Sequence, residues 1–94
     1  MNLIINQTNT FKKAVKKLSK QDKGILDDEI RVLCQNPLLG EQKKGELLFL
    51  RVHKFQMNRQ LMLLGYAYGE DKSTLTLLKL GSHENFYRDI KRDL

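Results

Sequence analysis

Apolar residues recur with a helical period in the first half of the chain and alternate in the second. Phe11, Ala14, Val15 and Leu18 stand at i, i+3, i+4 and i+7, one stripe of an amphipathic helix. Thr8-Asn9-Thr10 just before them are all residue types whose short side chains cap a helix start. Ser19-Lys20-Gln21-Asp22 has the spacing of a capping box, with Asp in place of Glu or Gln. It predicts a second helix with Ile25, Leu26, Ile30, Leu33 and Cys34 inward. That helix should stop by Asn36, because the residue before Pro37 is pushed out of the helical region. Ahead of both helices, Leu3 to Ile5 is a short apolar run that reads as a strand.

Leu47 to Phe55, Gln60 to Tyr68 and Thr74 to Leu80 read as three strands. Gln56-Met57-Asn58-Arg59 and Gly69-Glu70-Asp71-Lys72-Ser73 are the polar breaks between them, short enough to favour an antiparallel meander. Along the first strand Leu48, Leu50 and Val52 point one way, and Leu47, Phe49, Arg51, His53 and Phe55 the other. The aliphatic side is expected to receive the two helices, leaving Arg51 and His53 on the open side. Gly81-Ser82-His83 follows the third strand, and a last helix is expected over about Glu84 to Arg92. The expected fold is α+β: an N-terminal strand, a helical hairpin, an antiparallel three-strand meander and a short C-terminal helix, as one domain over residues 1–94.

Composition narrows the class. With 94 residues, 40% hydrophobic and 30% charged, the chain has the balance of a soluble globular domain. No apolar run is long enough to span a membrane, and Met1-Asn2-Leu3-Ile4-Ile5-Asn6 lacks the pattern of a signal peptide. A cytoplasmic location is therefore expected. The single cysteine, Cys34, lies in the helix stripe and reads as core. No Cys/His cluster has zinc-ligand spacing, so neither metal nor cofactor is expected. Glycine-rich phosphate loops and nucleophile elbows are absent. The net charge of +6 makes phosphate backbones or an acidic protein reasonable partners.

The candidate chemistry lies in three places. Lys12, Lys13, Lys16, Lys17, Lys20 and Lys23 could track phosphates, although a helix face rich in lysine is also an ordinary solvated surface. Arg51 and His53, two apart on a strand, share a face. A guanidinium there can hold a phosphate and an imidazole can move a proton near neutral pH; the plainer reading is an exposed sheet edge. His83 sits just past a glycine at a strand end, and Tyr87 follows one helical turn later. Arg88 and Arg92 form the next such pair, with Lys91 adding charge. The plainer reading makes His83 a helix cap, with Phe86 and Ile90 anchoring the helix. Asp27-Asp28-Glu29 reads as the solvent face of the second helix.

The order of elements, at this length, resembles the RelE/ParE superfamily of bacterial toxins. Asn36-Pro37-Leu38-Leu39-Gly40 and Lys44-Gly45-Glu46-Leu47-Leu48-Phe49-Leu50-Arg51-Val52 are similar to that family's loop into its first meander strand. Leu63-Leu64-Gly65-Tyr66 is similar to its central strand, which commonly ends in tyrosine. Leu80-Gly81-Ser82-His83-Glu84-Asn85-Phe86-Tyr87-Arg88-Asp89-Ile90-Lys91-Arg92 resembles its C-terminal end. Gly81-Ser82-His83 with Tyr87 matches the pattern of the YafQ-like members, and His53 falls where such members carry a histidine. Arg51 and His53 fall where RelE carries two lysines. The arginine expected shortly before the central tyrosine is replaced by about Leu63. The acidic residues and histidine that YafQ-like members carry on the second meander strand are absent.

The resemblance implies a toxin of a type II toxin–antitoxin system. RelE-type members cleave mRNA without a metal, often on the ribosome. On that pattern Arg51, His53, His83 and Tyr87 are the expected catalytic set, and Lys54, Arg59 and Arg88 the expected RNA-binding cations. A cognate antitoxin and mRNA are the expected partners, with DNA contacted only through the antitoxin complex. The alternative is a ParE-like protein, which inhibits DNA gyrase without enzymatic activity.

Overall fold

The computed structural model describes residues 3–93, with side-chain surroundings as far as Arg88. A short strand β1 (Ile4–Gln7) leads into α1 (Asn9–Lys16) and α2 (Lys20–Gln35). Thr8 Oγ1 accepts a hydrogen bond from the Phe11 amide at 3.1 Å and donates to the Leu78 carbonyl at 2.9 Å. One side chain thus starts α1 and ties it to the sheet. Ser19 Oγ caps α2 by accepting from the Asp22 amide, as its spacing predicts. A capping bond of this kind is worth about 1 kcal/mol.

After α2 come β2 (Glu41–Gln42), a 3₁₀ turn (Gly45–Leu47), β3 (Arg51–Met57), β4 (Gln60–Gly69), β5 (Thr74–Ser82) and α3 (His83–Asp93). The five strands lie in the order β1-β5-β4-β3-β2. The meander β3-β4-β5 is antiparallel, β1 runs parallel to β5, and β2 pairs antiparallel with β3. The β3–β4 hairpin turns on two residues, Asn58 (φ 53°) and Arg59 (φ 65°), the left-handed pair that matches the twist of a two-residue hairpin.

Both faces of the sheet are covered. On one, Phe11, Leu26 and Leu33 of the helical hairpin meet Phe55, Met57, Leu64, Tyr66, Leu75 and Leu77. On the other, Phe86 of α3 meets Leu50, Val52 and Leu63. Phe11, Leu33, Leu64 and Phe86 are all essentially inaccessible, and burial of such a side chain contributes about 1.5–3 kcal/mol. Phe86 lies so close over Gly65 that a Cβ there would stand 2.7 Å from its ring. A glycine at that point lets α3 lie down on the sheet.

This arrangement corrects two expectations. The first meander strand begins at Arg51, not Leu47, because Gly45 takes φ +67° and the following residues close a 3₁₀ turn. Leu48 and Phe49 are left exposed. The faces of β3 are also reversed. Arg51, His53, Phe55 and Met57 face the α1/α2 side, and Leu50 and Val52 face α3. Phe55 and Met57 outweigh the two polar residues in choosing the larger core, and the polar heads are satisfied in place.

Candidate functional site

Arg51 and His53 do share a face, but each is engaged by the scaffold. Arg51 Nη1 donates to the Leu38 carbonyl at 3.2 Å and the Gly40 carbonyl at 2.9 Å. Tyr66 Oη works on the same loop, donating to the Pro37 carbonyl at 2.7 Å and accepting from the Gly40 amide at 2.8 Å. A Cβ at Gly40 would stand 2.7 Å from the tyrosine ring, so only glycine lets the loop close on the ring. Burial raises the Tyr66 pKa, opposed by the Gly40 amide and the Arg51 charge. His53 is 12% exposed, with Nε2 2.6 Å from Glu29 Oε1 on α2. Its ring stacks at 5.8 Å on Phe55. Glu29 was expected on the solvent face of α2. It falls instead in the stripe Leu26, Ile30, Leu33 that looks onto the sheet, and the carboxylate satisfies the histidine that the stripe covers.

His83 stands apart from this pair. It is exposed at the first turn of α3, in a cleft of about 310 Å³ lined also by Arg59, Gln60, Leu61, Ser82 and Glu84. Rigid structure delivers each cation. Ser82 is in register with Met62, which fixes where α3 begins. The hairpin turn delivers Arg59. An arginine with φ near +65° costs stability that glycine would not, and strain of this kind concentrates where a side chain is used. Lys54 pairs across to Leu63, which pairs with Gly81. Leu63 packs under α3, so the exposed Lys54 lies on the same sheet face.

Tyr87, one turn beyond His83, is 38% exposed. Its ring meets Phe86 edge-on at 5.1 Å. Lys43 Nζ lies 5.0 Å over the Tyr87 ring and 3.1 Å from Glu41 Oε1. The Tyr87 contact, with Glu41, raises the Lys43 pKa against desolvation, while Lys43 lowers that of Glu41. Lys43 therefore adds a cation beside Tyr87 that its place in a polar loop did not single out. Arg88 is exposed on the next position of α3.

Two groups result. His53 is in register with Leu64 and Leu80, whereas His83 lies three residues further along β5 and two strands away. That puts the two backbones roughly 14 Å apart, and α3 lies on the opposite face from the helices that cover His53. The histidines do not meet. His83 and Arg59 line one cleft at the hairpin end of the α3 face, Lys54 lies further along β3 on that face, and Tyr87, one turn along α3, sits beside Lys43 toward β2. No group of three metal-ligating side chains exists among the described residues, and no described helix is long and apolar enough to cross a membrane.

A family model described as a ParE-like toxin of type II bacterial toxin–antitoxin systems matches residues 5–91. Among solved structures, a doubly substituted Escherichia coli toxin RelE in the free state superposes with a TM-score of 0.73 at 16% identity, covering 100% of both chains. The toxin–antitoxin complex RelBE2 of Mycobacterium tuberculosis gives a TM-score of 0.68 at 18% identity, over 88% of this chain and 100% of that one. The RelE–RelB complex of the archaeon Pyrococcus horikoshii gives 0.62 at 15%, over 87% and 96%. No curated protein matches significantly by sequence. At these identities the structural matches speak for the fold.

Proposed function

The chain belongs to the ParE-like toxins of type II bacterial toxin–antitoxin systems, within the RelE/ParE superfamily, and from that premise we propose that it is a metal-independent endoribonuclease acting on mRNA and restrained by a cognate antitoxin. The observation that carries this reading is the His83 cleft. An imidazole, a strained arginine and a lysine share one solvent-open face, with an aromatic ring one helical turn away.

In the proposed reaction a ribose 2′-hydroxyl attacks the adjacent phosphorus. His83 takes the hydroxyl proton, and the imidazolium returns a proton to the departing 5′-oxygen as the P–O bond breaks. The products are a cyclic phosphate and a 5′-hydroxyl. Arg59 and Lys54 stabilise the charge that builds on the phosphate, a contribution of about 3 kcal/mol for one well-placed donor. Tyr87 stacks the neighbouring base, and Lys43 and Arg88 extend the positive surface along the strand. DNA has no 2′-hydroxyl and escapes this chemistry. Arg51 and His53, expected among the catalytic residues, take part in this reading only by holding the Leu38–Gly40 loop and α2 onto the sheet.

The test is cleavage of single-stranded RNA and DNA of matched sequence by the purified chain in EDTA, with and without ribosomes. RNA cut to cyclic-phosphate ends, with DNA intact, supports the reading. The ParE-like family model favours one other reading, inhibition of DNA gyrase. Intact RNA with blocked supercoiling would replace the nuclease by that inhibitor.

A further inference from the structure

The two edges of the sheet are built differently. At one, β2 has only two residues, Glu41 and Gln42, and Glu41 pairs with Lys43. Short length and charge are common means of keeping other strands off an edge. The opposite edge is β1, Ile4-Ile5-Asn6-Gln7, which carries no charge and no proline and pairs with β5 in unbroken register. All four residues are exposed, Ile4 at 60% and Ile5 at 37%. The amides of Ile4 and Thr8 donate inward, to the Ser73 and Leu77 carbonyls. Backbone groups alternate in direction along a strand, so Leu3, Ile5 and Gln7 turn theirs outward. An edge of this kind is a template for another strand.

We propose that β1 pairs antiparallel with β1 of a second copy of this chain, about a two-fold axis at Ile5, joining two five-stranded sheets into one. This goes beyond the nuclease reading and does not depend on it. In that register Ile5 faces its own counterpart and Leu3 faces Gln7 on each side. All three outward-bonding residues are then matched, with about six new backbone hydrogen bonds. Ile5 stands beside Leu75, which belongs to the larger core, so the two Ile5 side chains meet on that face and extend it. The strand is uncharged, so the net charge of +6 is not concentrated at the contact. The ends are complementary as well. Antiparallel pairing sets the Ile4 end of one copy against the Thr8 end of the other. The turn beside Ile4 is Glu70-Asp71-Lys72, net negative. The helix that starts after Thr8 has no acidic residue in its first turn to complement its dipole. A five-residue edge buries less than a permanent dimer needs, so the copies exchange, with a dissociation constant of roughly 10–100 µM. The axis is perpendicular to the sheet, so both α3 faces, each with its His83 cleft, lie on the same side.

Cysteine cross-linking reads the register. Cys34→Ala first removes the chain's own thiol. In the paired state Ile5→Cys stands about 5.5 Å from its counterpart, Cα to Cα, which a disulfide spans. Ile4→Cys and Asn6→Cys each stand roughly 8 Å from theirs, too far to bridge. With oxidised glutathione, Ile5→Cys is expected to form a covalent dimer. Ile4→Cys and Asn6→Cys should each stay single and cross-link only when mixed. Sedimentation of the wild-type chain should show a monomer–dimer equilibrium, weakened about tenfold by Ile5→Lys, which sets like charges opposite each other. Leu48→Lys, at another exposed position beyond β2, should leave it unchanged. Both positions are exposed, so neither lysine unfolds the chain. A chain that stays monomeric to about 1 mM, or that cross-links as readily through Ile4→Cys as through Ile5→Cys, overturns the proposal. So does a dimer lost in Leu48→Lys and kept in Ile5→Lys, which would put the contact at the other edge. Protection of the Ile5 and Gln7 amides from hydrogen exchange only in complex with the antitoxin would assign the edge to that partner and overturn it too.

Discussion

Tyr66→Phe removes one oxygen from the centre of the molecule and nothing else. The ring is fully buried and keeps its volume, so no cavity opens. The lost Oη bridges the Gly40 amide and the Pro37 carbonyl. Gly40 is buried, so its amide loses its side-chain partner away from bulk solvent. An orphaned buried donor costs about 1–3 kcal/mol. Pro37 is partly exposed, so water can replace the bond to its carbonyl at little cost. Arg51 still holds the Leu38 and Gly40 carbonyls, which limits the damage to the loop. The expected loss is about 2 kcal/mol, or a Tm lower by roughly 10 °C for a domain of this size. Urea unfolding should show a lower midpoint at unchanged slope. Cleavage at 25 °C should be unaffected, since the loop lies away from His83. A loss below about 0.5 kcal/mol would mean that the loop is not held by this bridge.

Three further outcomes follow from named contacts. Arg59→Gly should raise stability by about 0.5–1 kcal/mol, because glycine tolerates the left-handed turn, and should lower cleavage by tenfold or more; a destabilised variant would show that the arginine is not strained. Gly65→Ala drives a methyl group to within 2.7 Å of the Phe86 ring, and overpacking of this kind should cost about 1–3 kcal/mol and displace α3, so cleavage falls with stability in the same variant. Tyr66 is shifted upward by burial, so its folded pKa exceeds its unfolded value. The corresponding stability is complete below pH of about 10 and is lost as pH rises from there through the folded value. Tyrosinate absorbance should appear for Tyr66 only with alkaline unfolding, and a titration complete before unfolding would contradict the burial.

The elements of this fold were legible where local chemistry decides them. Thr8 and Ser19 cap the helices that their spacing indicates, α2 stops before Pro37, and the meander turns where polar residues cluster. Less legible was which face of β3 meets which helix. Leu50 and Val52 on one side and Phe55 and Met57 on the other give β3 two apolar faces, and alternation cannot rank two buried sides. The deciding signal was on α2, where Glu29 falls within the inward stripe and requires a partner such as His53. The short strand β2 rests on two polar residues and pairs only through its backbone, so no side-chain pattern announces it. Of the candidate residues, His83 and Arg59 line one cleft, and Lys54 and Tyr87 lie on the same α3 side of the sheet. The spacing of Arg51 and His53 was real, but its meaning depended on Glu29 and on the carbonyls of the Leu38–Gly40 loop.

The central claim is that His83, and not His53, carries the chemistry. Pulsed expression of the chain in a bacterial cell, followed by mapping of new mRNA 5′ ends, tests it directly with His83→Ala and His53→Gln alongside. New cuts are predicted in the wild type and in His53→Gln, and none in His83→Ala. Cuts that persist in His83→Ala, or growth arrest by the wild type with every mRNA intact, would contradict the account.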